Sequence, residues 1–98
     1  MTKFASSVRF RMKNGDRETL IDALKGFDVA DYPGALSHQI IDIGDGRFQT
    51  TVVWENEGAL VAARPDLVRF LDNYRHLLDE ISSDLGVTDP ISGQIIEE

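Results

Sequence analysis

The 98-residue sequence contains no cysteine, and its apolar residues never form a long uninterrupted run. The missing thiols exclude disulfides, thiolate metal sites and a cysteine nucleophile, and they fit a reducing compartment. No segment approaches the roughly 18 to 20 consecutive apolar residues of a membrane span. The opening letters, MTKFASSVRF, lack the apolar core and cleavage pattern of a secretion signal. We therefore expect a cytoplasmic protein that does not enter a membrane.

Positive charge is also scarce, with 10 lysines and arginines against 17 acidic residues and a net charge of -7. Phosphate backbones would be repelled over most of such a surface, so we expect no nucleic-acid partner. The segment DIGDG lacks the further carboxylates of a calcium loop, and the two histidines have no ligands close by in sequence. The sequence thus predicts no metal site and no cofactor.

Hydrophobic residues make up 42% of the chain, enough for a single domain spanning residues 1–98. Alternating apolar and polar residues from Phe4 to Met12 predict a half-buried strand. Helical spacing of leucines and isoleucines predicts a helix from about Asp16 to Lys25, with Asn14 or Asp16 as its cap.

The next segment, from His38 to Asn56, predicts a hairpin whose two-residue turn is Asp45–Gly46. With that loop, Gly44 faces Arg47, and the interpretation that best segregates apolar residues continues this register along both strands. It places Ile41, Ile43, Phe48, Val52 and Trp54 on one face, and Leu36, His38, Ile40, Asp42, Gln49, Thr51, Val53 and Glu55 on the other. A register shifted by one would bring His38 to the Trp54 face, but would mix Asp42 with the apolar residues there.

A short helical segment after Glu55 is predicted to precede a main helix that begins at Pro65 and ends at Gly86. Its apolar stripe is Leu67, Leu71, Tyr74, Leu78, Ile81 and Leu85. A last strand begins near Pro90. The order β, α, β, β, α, β predicts an α+β, ferredoxin-like fold, a four-stranded antiparallel sheet with both helices on one face. The other face is expected to be apolar enough to be covered by a second copy.

Several segments resemble the dimeric α+β barrel superfamily and, within it, the antibiotic biosynthesis monooxygenase (ABM)-like domains. They are FASSVRFRMK, YPGALSHQII, TTVVWEN before an Ala-rich helix, and SGQII. The resemblance implies a homodimer with ligand pockets bounded by sheet and helices. Its members include cofactor-free oxygenases, haem-degrading enzymes and proteins without a known reaction. The haem-degrading pattern is not met, because the first strand has no Asn and no Trp follows Trp54.

Five residues are the candidate site. His38 is a candidate base, since a histidine titrates near neutral pH and the predicted register puts it on the sheet face that carries Arg9. Arg9 would stabilise negative charge on the substrate. Trp54 and Tyr74 are candidate walls of a substrate pocket, and Tyr32 is a candidate gate next to it. Each also has a structural interpretation: His38 hydrogen-bonded in an interface, the three aromatic residues as core or loop anchors, and Arg9 paired with Glu55 or a partner's carboxylates.

Two functions remain open on the sequence alone. The first is a cofactor-independent monooxygenase that acts on a small aromatic or quinol-like molecule, with His38 as the base. The second is a non-catalytic homodimeric module that binds a small ligand or assembles. An RNA-binding domain of the same topology is disfavoured, because the strands lack paired exposed aromatic residues.

Overall fold

Residues 2–13, 15 and 17–98 are described by a computed structural model of the chain. Its strands and helices, in order, are β1 (Phe4–Met12), α1 (Arg17–Lys25), β2 (Ala35–Gly44), β3 (Arg47–Trp54), α2 (Glu57–Asp72), β4 (Leu78–Asp79) and β5 (Asp89–Gln94). Single 3-10 turns lie at Val29–Asp31 and Arg75–Leu77. The predicted caps Asn14 and Asp16 lie outside the described residues.

The strands form one antiparallel sheet in the order β2-β3-β1, with β4 and β5 sharing the far edge of β1. Strand β5 pairs with Phe4–Arg9, and the two-residue β4 pairs with Arg11 and Met12. Apart from β4, this is the strand order of a ferredoxin-like fold. The predicted α+β class is therefore confirmed, with five strands where four were predicted.

The turn of the hairpin is as predicted, but the register of its strands is not. Asp45 and Gly46 have positive φ, and Gly44 pairs with Arg47. Between Asp42 and Gly44 the pairing then shifts by one residue, which is a β-bulge. From there Asp42 pairs with Phe48 and, further along, His38 pairs with Val52.

The bulge reverses the predicted faces of β2 from Asp42 back to Ser37, where the pairing shifts again. His38 and Ile40 lie on the helix-covered face together with Val52 and Trp54, whereas Ile41 lies on the open face. The predicted faces of β3 are correct, because Phe48, Val52 and Trp54 are all buried beneath the helices. The register shifted by one, which the sequence disfavoured, is thus the one formed.

Asp42 explains why this register is stable. Its carboxylate accepts a hydrogen bond from the bulge amide Gly44 N–H at 2.9 Å and pairs with Arg17 of α1 at 2.7 Å. The hydrogen bond from Arg17, followed by that from Gly44, holds the pKa of Asp42 below its ordinary value. The Arg17 guanidinium also lies 5.8 Å from the ring centre of Phe48. A carboxylate among apolar neighbours is therefore satisfied at the exposed end of the sheet.

The predicted main helix is wrong in both its start and its end. Asn56 caps α2 by accepting the Ala59 N–H at 2.9 Å, and the helix runs through Pro65 without interruption. Pro65 is exposed, so water can solvate the carbonyl that its missing N–H leaves unpaired. The chain leaves the helix after Asp72, and Leu78 joins the sheet opposite Met12 instead of continuing a helical stripe.

Both helices cover the same face of the sheet and bury two adjoining apolar clusters. One cluster surrounds Trp54 and includes Leu60 of α2, and the other surrounds Phe10 and includes Leu20 and Leu24 of α1. The opposite face has no covering layer among the described residues. It carries Ile41 and Ile43 of β2 and Ile91 of β5, all exposed.

Neither helix in the described part of the chain has the length and apolar character needed to cross a membrane.

Gly34 is the position where a side chain would disturb the fold most directly. Its φ is +86°, and a Cβ built there would lie 2.5 Å from the Ala59 Cβ of α2. The Gly34 carbonyl also accepts the Glu55 N–H at 2.8 Å, so the backbone cannot move away without losing that bond. We expect Gly34→Ala to lower the free energy of unfolding by about 2 to 4 kcal/mol, measured by urea denaturation.

Gly93→Ala is the matched control, because Gly93 is exposed in β5 and a Cβ there would have no atom within 4 Å. A change of less than about 0.5 kcal/mol is expected for it. Equal effects of the two substitutions would contradict the close packing of Gly34 on α2.

Candidate functional site

A cavity of about 180 Å³ lies between the helix-covered face of the sheet and α2. Most of its wall is apolar, contributed by Val8 and Val52 of the sheet and by Leu67 and Leu71 of α2. Its polar side chains are Ser6, His38, Thr50, Tyr74 and Thr88. Apolar walls with a few converging polar groups are typical of small-molecule sites.

His38 reaches this cavity because the bulge turns it towards the helices. Its imidazole is partly buried and lies 4.5 Å from the ring centre of Phe27, and no described residue forms a hydrogen bond or ion pair with it. Burial disfavours the charged form and lowers the pKa of His38 below its ordinary value. At neutral pH the ring is therefore uncharged and has a nitrogen that can accept a proton.

Tyr74 follows α2 directly and projects inward, so that only 5% of its surface is exposed. Its ring packs between Phe10 and Phe70, with centroid distances of 5.9 and 5.6 Å. Burial raises the pKa of Tyr74 to about 12. The phenol thus keeps its proton at neutral pH, and in the described part of the chain its hydroxyl has no hydrogen-bond partner.

Trp54, a predicted pocket wall, is fully buried in the core and does not line the cavity. Its indole N–H donates to Ser6 Oγ at 3.0 Å. Ser6 does line the cavity, so Trp54 contacts the site through Ser6.

Tyr32, the predicted gate, lies behind the cavity wall. Its ring stacks on Phe27 with centroids 4.4 Å apart and planes 11° apart, and its outer side faces a surface depression beside Asp66 and Arg69. Burial and the neighbouring Asp31 raise the pKa of Tyr32. Tyr32 therefore supports Phe27, which forms the wall between it and His38.

Arg9 is not brought together with His38. It projects from the open face of β1, donates to the Gln49 side chain at 3.3 Å and lines a separate groove of about 540 Å³ with Arg11 and Arg47. The expectation that His38 and Arg9 share one face is wrong, because the bulge moves His38 to the other side. Neither Arg9 nor its neighbour Arg11 pairs with Glu55, because Arg9 donates to Gln49 and Arg11 pairs with Asp79.

Several cavity residues were missed by the sequence analysis. Phe27 and Phe70 form its aromatic wall, and Thr50 and Thr88 add hydroxyls to it. The spacing of Val52 and Thr50 on β3 could have indicated Thr50, since both share the Trp54 face. Thr88 is in an irregular segment, where residue periodicity carries no signal.

The cavity adjoins a second depression of about 430 Å³ that runs along β5 and α2. The two share four lining residues, Ser6, Val8, Leu67 and Pro90. The cavity and the depression therefore meet along this shared wall. Arg64 lies along it.

No group of three or more metal-binding side chains occurs within residues 2–13, 15 and 17–98.

No protein-family model matches the sequence, and no curated protein matches it. Solved structures do match. A candidate antibiotic biosynthesis monooxygenase from Deinococcus radiodurans is 19% identical, with a TM-score of 0.73 over 97% of this chain and 94% of the other. SnoaB from Streptomyces nogalater, a cofactor-independent oxygenase, is 14% identical, with a TM-score of 0.70 over 98% and 95%.

The chain has the fold of the antibiotic biosynthesis monooxygenases. A third ABM-fold structure is a monooxygenase from the gene ActVA-Orf6 of Streptomyces coelicolor, in complex with nanaomycin D. It is 18% identical to this chain, with a TM-score of 0.73 over 99% of this chain and 90% of the other. Further matches are proteins of unknown function. The resemblance seen in the sequence is thus confirmed for the fold, which by itself does not determine the reaction.

The lowered pKa of His38 predicts how stability depends on pH. In the unfolded chain His38 takes up a proton near pH 6.5, but in the folded chain it does so only at lower pH. Its contribution to the free energy of unfolding is therefore complete above about pH 6.5 and is lost as the pH falls through the folded pKa. We expect His38→Gln to flatten the loss of stability between about pH 7 and pH 5, measured by urea denaturation.

His76→Gln is the control, since His76 is exposed after α2 and does not line the cavity. It should leave the pH dependence as in the wild type. If His76→Gln flattened the curve and His38→Gln did not, the assignment of the buried imidazole would be contradicted.

Proposed function

We propose that the protein is a cofactor-independent monooxygenase that acts on a small phenolic or quinol-like aromatic molecule in the cavity beneath α2. The observation that carries the proposal is the pair of polar groups, His38 and Tyr74, that line one apolar cavity without hydrogen-bond partners from the described residues. Both groups are free to bond to a ligand, and a few polar groups that converge in an apolar wall are typical of a small-molecule site.

The volume of the cavity limits the ligand. An apolar cavity of about 150 Å³ in another protein accommodates benzene. A cavity of about 180 Å³ therefore suits one or two fused rings better than three. The flat rings of Phe27 and Phe70 at the wall favour an aromatic over an aliphatic molecule.

His38 is the proposed base. As an uncharged imidazole it takes the proton of a phenolic hydroxyl, and the electron-rich anion that remains can pass an electron to dioxygen. Recombination of the two radicals forms a carbon–oxygen bond, and His38 returns its proton to the outer peroxide oxygen. The O–O bond then breaks, and the outer OH leaves with the hydrogen of that ring carbon as one water molecule, which leaves the carbonyl of a quinone. One oxygen atom enters the product and the other becomes water.

Tyr74 is the proposed donor to the developing negative charge. Its high pKa keeps the hydroxyl protonated, so it can donate to the phenolate or peroxide oxygen without itself ionising. A preorganised donor in a site with little water stabilises such charge more than water would. SnoaB and the ActVA-Orf6 protein support the proposal, since their names describe the same kind of reaction on the same fold.

Homodimerisation through the open face of the sheet belongs to the same proposal. Ile41, Ile43 and Ile91 give this face exposed apolar area, and Arg9 and Arg47 lie beside them in an otherwise acidic chain. Acidic residues of a second copy could pair with these arginines while the isoleucines are buried. Since His38 faces the helices, catalysis and dimerisation would use opposite faces of the sheet.

A non-catalytic homodimeric binding module is the second candidate. It is favoured by one observation, that no carboxylate or carbonyl of the described residues accepts a proton from the His38 ring. Catalytic histidines are commonly oriented by such an acceptor.

Oxygen uptake separates these two functions. We expect the protein to accelerate the conversion of 1,5-dihydroxynaphthalene and dioxygen to 5-hydroxy-1,4-naphthoquinone and water, above the rate without protein. His38→Ala should lower that acceleration about 100-fold or more, because the general base is lost. A wider panel of quinols and anthrone-like phenols would test the limit of two rings.

The matched control is His76→Ala, which removes the exposed histidine and should leave the rate unchanged. Saturable binding of the phenol without oxygen uptake would contradict the enzyme and favour the binding module. Retention of full activity in His38→Ala would contradict the assigned base.

Sedimentation velocity tests the proposed dimer. We expect a dimer for the wild type and a monomer for Ile41→Glu, because a charge would be buried in the interface without a partner. Val61→Glu is the control, since Val61 is exposed like Ile41 but lies on α2, on the other side of the sheet. A wild type that sediments as a monomer at micromolar concentration would contradict the interface.

A further inference from the structure

The hydrogen bond between Trp54 and Ser6 has only one possible direction. An indole N–H donates and cannot accept, so at 3.0 Å the Ser6 Oγ must be the acceptor. Trp54 is fully buried, which means that Ser6 is the partner its N–H requires. The direction of this bond determines what the Ser6 hydroxyl can still do.

A serine hydroxyl that accepts one hydrogen bond retains its own proton for donation. No described residue accepts that proton from Ser6. The neighbouring Ser7 behaves differently, because its hydroxyl is 2.9 Å from Thr51 Oγ1 on the open face and the two satisfy each other. Ser6 alone of the two lines the cavity, so its proton is available to a ligand there.

Accepting a hydrogen bond also makes a hydroxyl a better donor, since each bond in a chain polarises the next. The chain here runs from the Trp54 N–H to Ser6 and on into the cavity. Ser6 lines both the cavity and the adjoining depression, so a ligand in either can reach its hydroxyl.

We propose that Ser6 is a specificity-determining residue of the cavity, which donates a hydrogen bond to an oxygen atom of the ligand and is oriented for this by Trp54. Ser6 and Tyr74 then supply two donors, and His38 supplies one acceptor. This pattern selects an aromatic molecule with a carbonyl or phenolate oxygen over a hydrocarbon of the same shape. The inference rests on the proposed function only in placing the ligand in the same cavity.

Two probes of the same shape measure the contribution of the hydrogen bond that Ser6 donates to the ligand. The bicyclic ketone 1-indanone has one acceptor oxygen and no donor, so it can bond to Ser6 or Tyr74 but cannot give a proton to His38. Indane has the same rings without the oxygen. The measured quantity is the ratio of their dissociation constants, indane over 1-indanone, which cancels the contribution of the shared rings.

We expect Ser6→Ala to lower this ratio about fivefold by weakening 1-indanone and leaving indane unchanged. Ser7→Ala is the matched control, a neighbouring serine on the other face, and should not change the ratio. Trp54→Phe should lower it by a smaller factor, because Ser6 keeps its hydroxyl but loses the bond that orients it. If Ser6 only supported the fold, Ser6→Ala would leave the ratio of the two dissociation constants unchanged.

Ser6→Ala also leaves the buried Trp54 N–H without an acceptor, which can destabilise the fold. The double variant Ser6→Ala with Trp54→Phe removes both partners and should fold with the same lowered ratio. An unchanged ratio in the folded double variant would overturn the inference, as would failure of 1-indanone to bind the wild type. A lowered ratio without oxygen uptake would uphold the inference while overturning the proposed monooxygenase.

Discussion

The one-residue bulge at Asp42–Gly44 is the constraint on which the site depends. It lets the Asp45–Gly46 turn keep its two-residue geometry while β2 from Ser37 to Asp42 pairs one residue out of step with that turn. Because side chains alternate between faces, this single step places the residues from Ser37 to Asp42 on the side of the sheet opposite to the predicted one. His38 thereby joins the cavity beneath α2, and Ile41 is left on the open face, where a partner could bury it.

Sequence periodicity was sufficient to predict the helices and strands in which one hydrophobic pattern continues from end to end. β1, α1, the faces of β3 and the ferredoxin-like order were predicted correctly because their apolar residues alternate or recur without interruption. The register of β2 was not, because Asp42 is acceptable among apolar neighbours only with Arg17 of α1 beside it. The start of α2 was wrong for a similar reason: Pro65 was expected to begin the main helix, but an exposed proline can lie inside a helix whose start Asn56 caps.

The candidate site could likewise be predicted only in part. His38 and Tyr74 could be singled out by residue type, since few side chains suit proton transfer or donation inside an apolar wall. Their meeting in one cavity, and the exclusion of Arg9 from it, depend on the bulge and were not predictable. The proposed role of Ser6 could not be predicted either, because it depends on the hydrogen bond from Trp54, which joins the end of β3 to β1.

The most direct test of this account is the position of the His38 ring in solution, observed as nuclear Overhauser effects in the labelled protein. The structure predicts cross-peaks between the imidazole protons of His38 and the ring protons of Phe27, whose centroids lie 4.5 Å apart. Cross-peaks from His38 to the side chains of Thr51 and Ser7, with none to Phe27, would place the imidazole on the open face. That result would contradict the bulged register and the site built on it.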